Sequence, residues 1–297
     1  MIKPEFTLHH GWGFSSSIWS GWIQDLEPEF EVLNLDRGYF GVEDSHTPIK
    51  LSICDEPSSS VVKLRVTVAH SFGLHLLSRE TLASTDMLVC IGAFSEFLPQ
   101  GDRFARRTLH RMQSRFLENP ADVLSEFHYR SFDTTGLGLV GSTLIRDEQN
   151  WDLELLSNDL SLLETAKLDY SDLVRIPHIL LLHGMNDIIV PPSRAYELQR
   201  YLPQSRLILH NSANHALPFL HMDWCLQHIM CYVDEIESTQ NESALAELEE
   251  IESARNESIQ IESIQNDSTQ YASDNTERLQ TPLKFKGMRA LVGALDS

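Results

Sequence analysis

Across residues 1–233, short β-branched runs alternate with helix-length amphipathic segments, and this rhythm restricts the fold more than any other feature of the chain. Strand patterns fall at 6–9, 31–35, 65–69, 87–91, 179–183 and 206–210, with helical patterns among them at 17–26, 73–85, 193–201 and 223–232. Strands joined by helical crossovers pair in parallel. The expectation is therefore an α/β fold with about six mostly parallel strands. From 99 to 174 the rhythm stops, and helical patterns run on without a strand-like stretch. A helical insertion, or lid, is expected there, above the carboxyl ends of the strands where open α/β sheets keep their sites.

The 297 residues carry 43 acidic and 23 basic side chains, a formal net charge of −20. So negative a surface repels phosphate backbones and anionic headgroups, so neither nucleic acid nor membrane is expected as a partner. The charge is uneven. Residues 234–297 hold 14 acidic and five basic residues, and within them IESTQNES, IESARNES and IESIQNDS recur from Ile236, Ile251 and Ile261. That spacing is too irregular for a stacked repeat. The organised domain is expected to span 1–233, followed by an acidic low-complexity tail, 234–297, that is disordered or partly helical. Its role is either solvation or partner binding, the latter through the more basic TPLKFKGMRALVGAL.

Cys54, Cys90, Cys225 and Cys231 form no CxxC pair, which argues against a disulfide scaffold and a zinc module. The 13 histidines lack ligand spacing with an acidic or cysteine partner, so no metal and no cofactor are expected. No apolar run of secretory length opens the chain, and none approaches the roughly 18 residues of a membrane span. The default expectation is a soluble, reduced, cytoplasmic protein, a monomer.

Four turns at strand ends carry chemistry. Val68-Ala69-His70-Ser71-Phe72-Gly73 is a strand, a serine among small residues and then a helical pattern: the setting of a nucleophile elbow, with Ala69 at the first glycine position. Leu8-His9-His10-Gly11-Trp12-Gly13 runs a strand into a glycine-rich turn. There the N–H of Trp12, with that of Phe72, forms a candidate oxyanion hole, while Trp12 also suits plain packing. Asp187 lies four residues beyond the 179–183 strand and His215 five beyond the 206–210 strand. The chain order Ser, Asp, His, with the last two on adjacent loops at one end of the sheet, is that of the Ser–His–Asp hydrolases built on a parallel sheet.

With HGWG, the serine elbow, LLHGMNDIIVP and the closing histidine in that order, residues 6–232 resemble the α/β-hydrolase family. Within it, HHGWGFSSSIW and the stretch from Trp151 to Pro191 are most similar to the carboxylesterases that cleave pimeloyl-acyl-carrier-protein methyl ester in biotin synthesis. The resemblance implies a serine esterase in which Ser71 is the nucleophile, His215 its base and Asp187 the residue that orients His215. Trp12 and Phe72 then supply the oxyanion N–H groups. The same constellation serves lyases and carbon–carbon bond hydrolases of this fold, and a catalytically silent binding module would keep the fold alone. Two departures stand out: with five residues before the first strand pattern, the first two strands of the usual fold are expected to be missing, and Asn214, which tolerates left-handed backbone, replaces the glycine before the histidine.

Arg103, Arg107, Arg111 and Arg115 recur every four residues, on one stripe of a helix. In the esterases this chain resembles, lid arginines contact the acidic carrier protein and its phosphopantetheine, and Arg107 and Arg111 fall at matching positions. The alternative is a solvated face that pairs with the protein's own carboxylates.

Overall fold

The computed structural model describes residues 2–41, 62–98, 101–132 and 150–279. It divides into two compact units, Met1–Glu237 and Ser238–Ser297. In the first unit the strands are β1 (Ile2–His9), β2 (Glu31–Leu35), β3 (Val62–His70), β4 (Met87–Ile91), β5 (His178–Gly184) and β6 (Ser205–His210). They form one sheet in the order β2-β1-β3-β4-β5-β6, with every pairing parallel. All the strands therefore end on the same side. The register sets His9 beside Ala69, His70 beside Ile91, Ile91 beside Leu182 and Gly184 beside His210.

Side-chain alternation explains why the sheet is legible as strands. In β4 every residue is buried, yet Met87, Val89 and Ile91 join the core on one face while Leu88 and Cys90 join that on the other. The edge strand β2 is different: Leu33 and Leu35 are exposed. Among the described residues β2 pairs only with β1, as expected of a sheet without the two opening strands.

The helices are α1 (Ser20–Leu26), α2 (Arg79–Ser84), α3 (Arg103–Glu118), α4 (Pro120–Phe132), α5 (Leu153–Leu162), α6 (Tyr170–Leu173), α7 (Ser193–Tyr201), α8 (Leu217–Leu220) and α9 (Met222–Leu279). Helices α3 to α6 make up the insertion; residues 99–100 and 133–149 of the expected lid lie outside the described residues. The single helix read over 73–85 is corrected. A 3-10 turn, Ser71–Leu76, is followed by an extended Leu77, and α2 then starts afresh because the Ser78 hydroxyl accepts the N–H of Thr81. The helix read to end at 232 also runs on, since no glycine or proline stops it, and 238–279 of the second unit is helical. The basic stretch at 281–295 lies outside the described residues. No helix among those described is long and apolar enough to cross a membrane.

Candidate active site

Ser71 sits at the end of β3 with φ +55°, the one left-handed non-glycine backbone among the described residues. Such a conformation costs roughly 1–2 kcal/mol. It persists because the elbow is gripped from both sides. A Cβ on Gly11 would lie 2.9 Å from the Ser71 Cβ, and one on Gly73 would lie 2.6 Å from the carbonyl oxygen of His10. Both glycines therefore let the elbow and the Gly11-Trp12-Gly13 turn meet backbone to backbone. Ala69, by contrast, is tolerated in the strand ladder beside Cys90.

The structure brings Ser71, Asp187 and His215 together. The Ser71 hydroxyl lies 3.0 Å from His215 Nε2, and His215 Nδ1 lies 2.7 Å from Asp187 Oδ2. A carboxylate only accepts, so Nδ1 carries the proton and Nε2 is the free base. The other oxygen of Asp187 accepts the N–H groups of Ile189 and Val190 at 2.9 and 2.8 Å, which fixes the carboxylate in the buried loop after β5. Asn214 is corrected in its role: its backbone is not left-handed, and its side-chain oxygen instead accepts the N–H of Ala216 at 3.1 Å, closing the turn around His215.

Trp12 takes the packing role. Its ring is buried, its Nε1–H donates to the carbonyl of Leu156 on α5 at 2.8 Å, and Phe116 and Phe127 meet it edge-on. No turn or cap hydrogen bond among the described residues uses the N–H of Trp12 or Phe72. Both residues, with Ser71, line a cavity of about 600 Å³ whose walls include Phe94, Phe97, Leu109 and Met112.

The arginine stripe divides. Its last member, Arg115, pairs with Glu126 at 2.5 Å, and Arg106, which lies off the stripe, pairs with Glu164 at 2.8 Å, so these two take the protein's own carboxylates. Arg103, Arg107 and Arg111 are exposed and make no ion pair among the described residues. Arg111 lines the cavity; Arg107 does not. Arg130 on α4 also lines it and had no periodic signal to reveal it. Gly92, missed in the sequence, abuts the Asp–His pair: its backbone is left-handed, and a Cβ there would lie 3.5 Å from His215 Nδ1.

The histidines take on a purpose that spacing did not suggest. His70 Nε2–H donates to the carbonyl of His215, His183 Nε2–H to that of Val190, and His75 Nε2–H to that of Phe94, at 3.0, 2.8 and 3.0 Å. A carbonyl only accepts, so each ring holds a proton there and tethers a site loop. No group of three metal-ligating side chains is gathered among the described residues.

Burial drives the pKa of His9 and of His75 down to about 4, with the His10 ring contributing at His9. Burial likewise lowers His183 and takes His70 well below 6.5. An unfolded chain binds these protons as pH falls through 6.5, whereas in the folded chain His9 and His75 resist until about 4. Stability is thus greatest above 6.5 and is lost as pH falls from there towards 4. The midpoint of urea unfolding is expected to drop steadily between pH 7 and 4.5, and His75→Phe to make that drop shallower. A midpoint independent of pH in this window would show that the rings are not held neutral.

An all-parallel sheet, a serine on a strained strand-to-helix turn, acid and histidine after the last two strands, and a helical insertion together make this the α/β-hydrolase fold. No protein-family model matches the chain. Its sequence is similar to the pimeloyl-[acyl-carrier protein] methyl ester esterase of Vibrio vulnificus (strain YJ016), 27% identical over 235 residues, covering 73% of this chain and 89% of that protein. The protein of the same name from Nitrosomonas europaea is 24% identical over 232 residues, covering 73% and 90%. Among solved structures, an esterase from Exiguobacterium antarcticum superposes with a TM-score of 0.60 at 15% identity, covering 78% of this chain and 92% of that one. A thermophilic esterase from Thermogutta terrifontis gives 0.56 at 17% identity, covering 78% and 90%.

Proposed function

We propose that the chain is a serine carboxylesterase whose substrate is an acyl methyl ester borne by an acidic carrier protein, pimeloyl-acyl carrier protein in biotin synthesis, in the cytoplasm. The observation that carries the esterase reading is the hydrogen-bonded chain Ser71–His215–Asp187 opening on a largely apolar cavity. Ser71 Oγ attacks the ester carbonyl while His215 Nε2 takes its proton, and Asp187 stabilises the imidazolium that results. The N–H groups of Trp12 and Phe72 receive the charge that develops on the carbonyl oxygen. His215 then protonates the leaving alkoxide, which departs as alcohol. Water, deprotonated by His215, attacks the acyl-enzyme and releases the carboxylic acid and free Ser71.

The cavity, about 600 Å³, is of a size that takes a small-molecule acyl chain. The names of the sequence relatives support the carrier-linked ester. So do the exposed guanidiniums of Arg107 and Arg111, which form no ion pair among the described residues and suit phosphate and carboxylates. In the double variant Arg107→Glu/Arg111→Glu, kcat/KM on the carrier-linked ester is expected to fall far more than on p-nitrophenyl butyrate. A proportionate loss on both substrates would remove the carrier-docking role. Steady-state rates of the wild-type chain on pimeloyl-carrier methyl ester, beside a panel of simple esters, test the substrate itself; no preference for the carrier-linked ester would overturn it.

A further inference from the structure

Helix α4 turns one face towards the reacting loops. Leu124, Phe127, His128 and Ser131 stand at i, i+3, i+4 and i+7, and all four are buried. A Cβ on Gly13 would meet the side chains of Phe127 and Leu124 at 3.1 and 3.3 Å. The Phe127 ring packs edge-on against both Trp12 and His215. The carbonyl of Ser131 accepts the N–H of Ala216, next to the base, at 3.0 Å. His128 Nε2–H donates to the carbonyl of Gly13 at 2.6 Å while its ring stacks on Phe14, centroids 5.1 Å apart at 17°.

The turn that presents the Trp12 N–H needs such support. Gly13 has φ +73° and no side chain to fix its peptide planes. The turn's own closing bond, Phe14 N–H to the carbonyl of Gly11, is long at 3.4 Å. The bond from His128 is much shorter, and it comes from a residue 115 positions away.

We propose that His128 is a positioning residue for this turn: by holding the Gly13 carbonyl it aims the Trp12 N–H, and α4 thereby sets the oxyanion donor in register with His215. The lid is then part of the catalytic frame as well as a cover. This inference rests on the esterase reading above.

The test compares His128→Phe, His128→Gln and His128→Asn in the full chain, with p-nitrophenyl butyrate as substrate, at a temperature where each is folded by circular dichroism. Phenylalanine keeps the ring over Phe14 without the donor. Glutamine places an amide nitrogen near the position of Nε2, whereas asparagine reaches only that of Nδ1. A misaimed donor lowers kcat with little change in KM, by about tenfold to a hundredfold. The expected order is wild type and His128→Gln within a few-fold of one another, with His128→Phe and His128→Asn far below. A structural role alone would lower Tm in every variant and leave kcat of the folded protein unchanged. Equal kcat in His128→Phe and wild type overturns the proposal; if His128→Phe does not fold, equal kcat in His128→Gln and His128→Asn does so. A wild-type chain that hydrolyses no ester would remove the esterase reading instead, so the two failures are separable.

Discussion

Ser71→Ala is expected to lower ester hydrolysis by about 10⁴- to 10⁶-fold while the chain remains folded. The hydroxyl is the sole group in the cavity poised on His215 Nε2 among the described residues, and neither His215 nor Asp187 substitutes for it as a nucleophile. Ser71→Gly should be equally inactive yet at least as stable as Ser71→Ala, because glycine adopts φ +55° without a Cβ clash. Rates measured beside thermal unfolding separate chemistry from folding. Labelling by a fluorophosphonate, followed by mass spectrometry of the adduct, supplies a second check. Retained activity in Ser71→Ala, or an adduct elsewhere than Ser71, would reassign the nucleophile.

Gly184→Ala is expected to have the largest effect on stability of any single methyl group added to the site. A Cβ on Gly184 would lie 2.3 Å from the carbonyl oxygen of Ala213 and 2.6 Å from its carbon, both backbone atoms. That carbonyl cannot simply retreat, because it accepts the N–H of Asn186 at 2.9 Å, and the next two residues are Asn214 and His215. Overpacking of this kind costs about 2–3 kcal/mol. In a domain of this size that corresponds to a fall in Tm of roughly 4–12 °C. Activity should fall as well, since relief of the clash moves the loop that carries His215 away from Ser71. A variant with wild-type Tm and kcat would mean that the β5 and β6 loops are looser than their hydrogen bonds imply.

Much of this arrangement is legible in the chain. The run Met87–Ile91 is apolar throughout and too short for a helix, so it reads as a buried strand and is one. Ser71, Asp187 and His215 are found at strand ends by pattern alone, and parallel pairing brings those ends to one side of the sheet. The break after Ser71 was not legible: 73–85 is amphipathic as a helix, and only the tether from His75 to Phe94 and the cap at Ser78 show why it is interrupted. The arginine stripe was legible as a stripe but not in its division, because Glu126, the partner that takes Arg115 out of it, lies 11 residues further on, on the next helix.

The sequence by itself determined the order of strands and helices, the kinds of turn that end them and the residue types placed there. These follow from periodicity and backbone preference, which act over a few neighbouring residues. Only the tertiary structure decided what the buried histidines do. His70, His128 and His183 each give a ring proton to a backbone carbonyl, and for His70 and His128 that carbonyl is more than a hundred residues away. A tether of that range exists only once distant segments of the chain are packed together. The imidazole's chemistry allows many partners, and the fold chooses one.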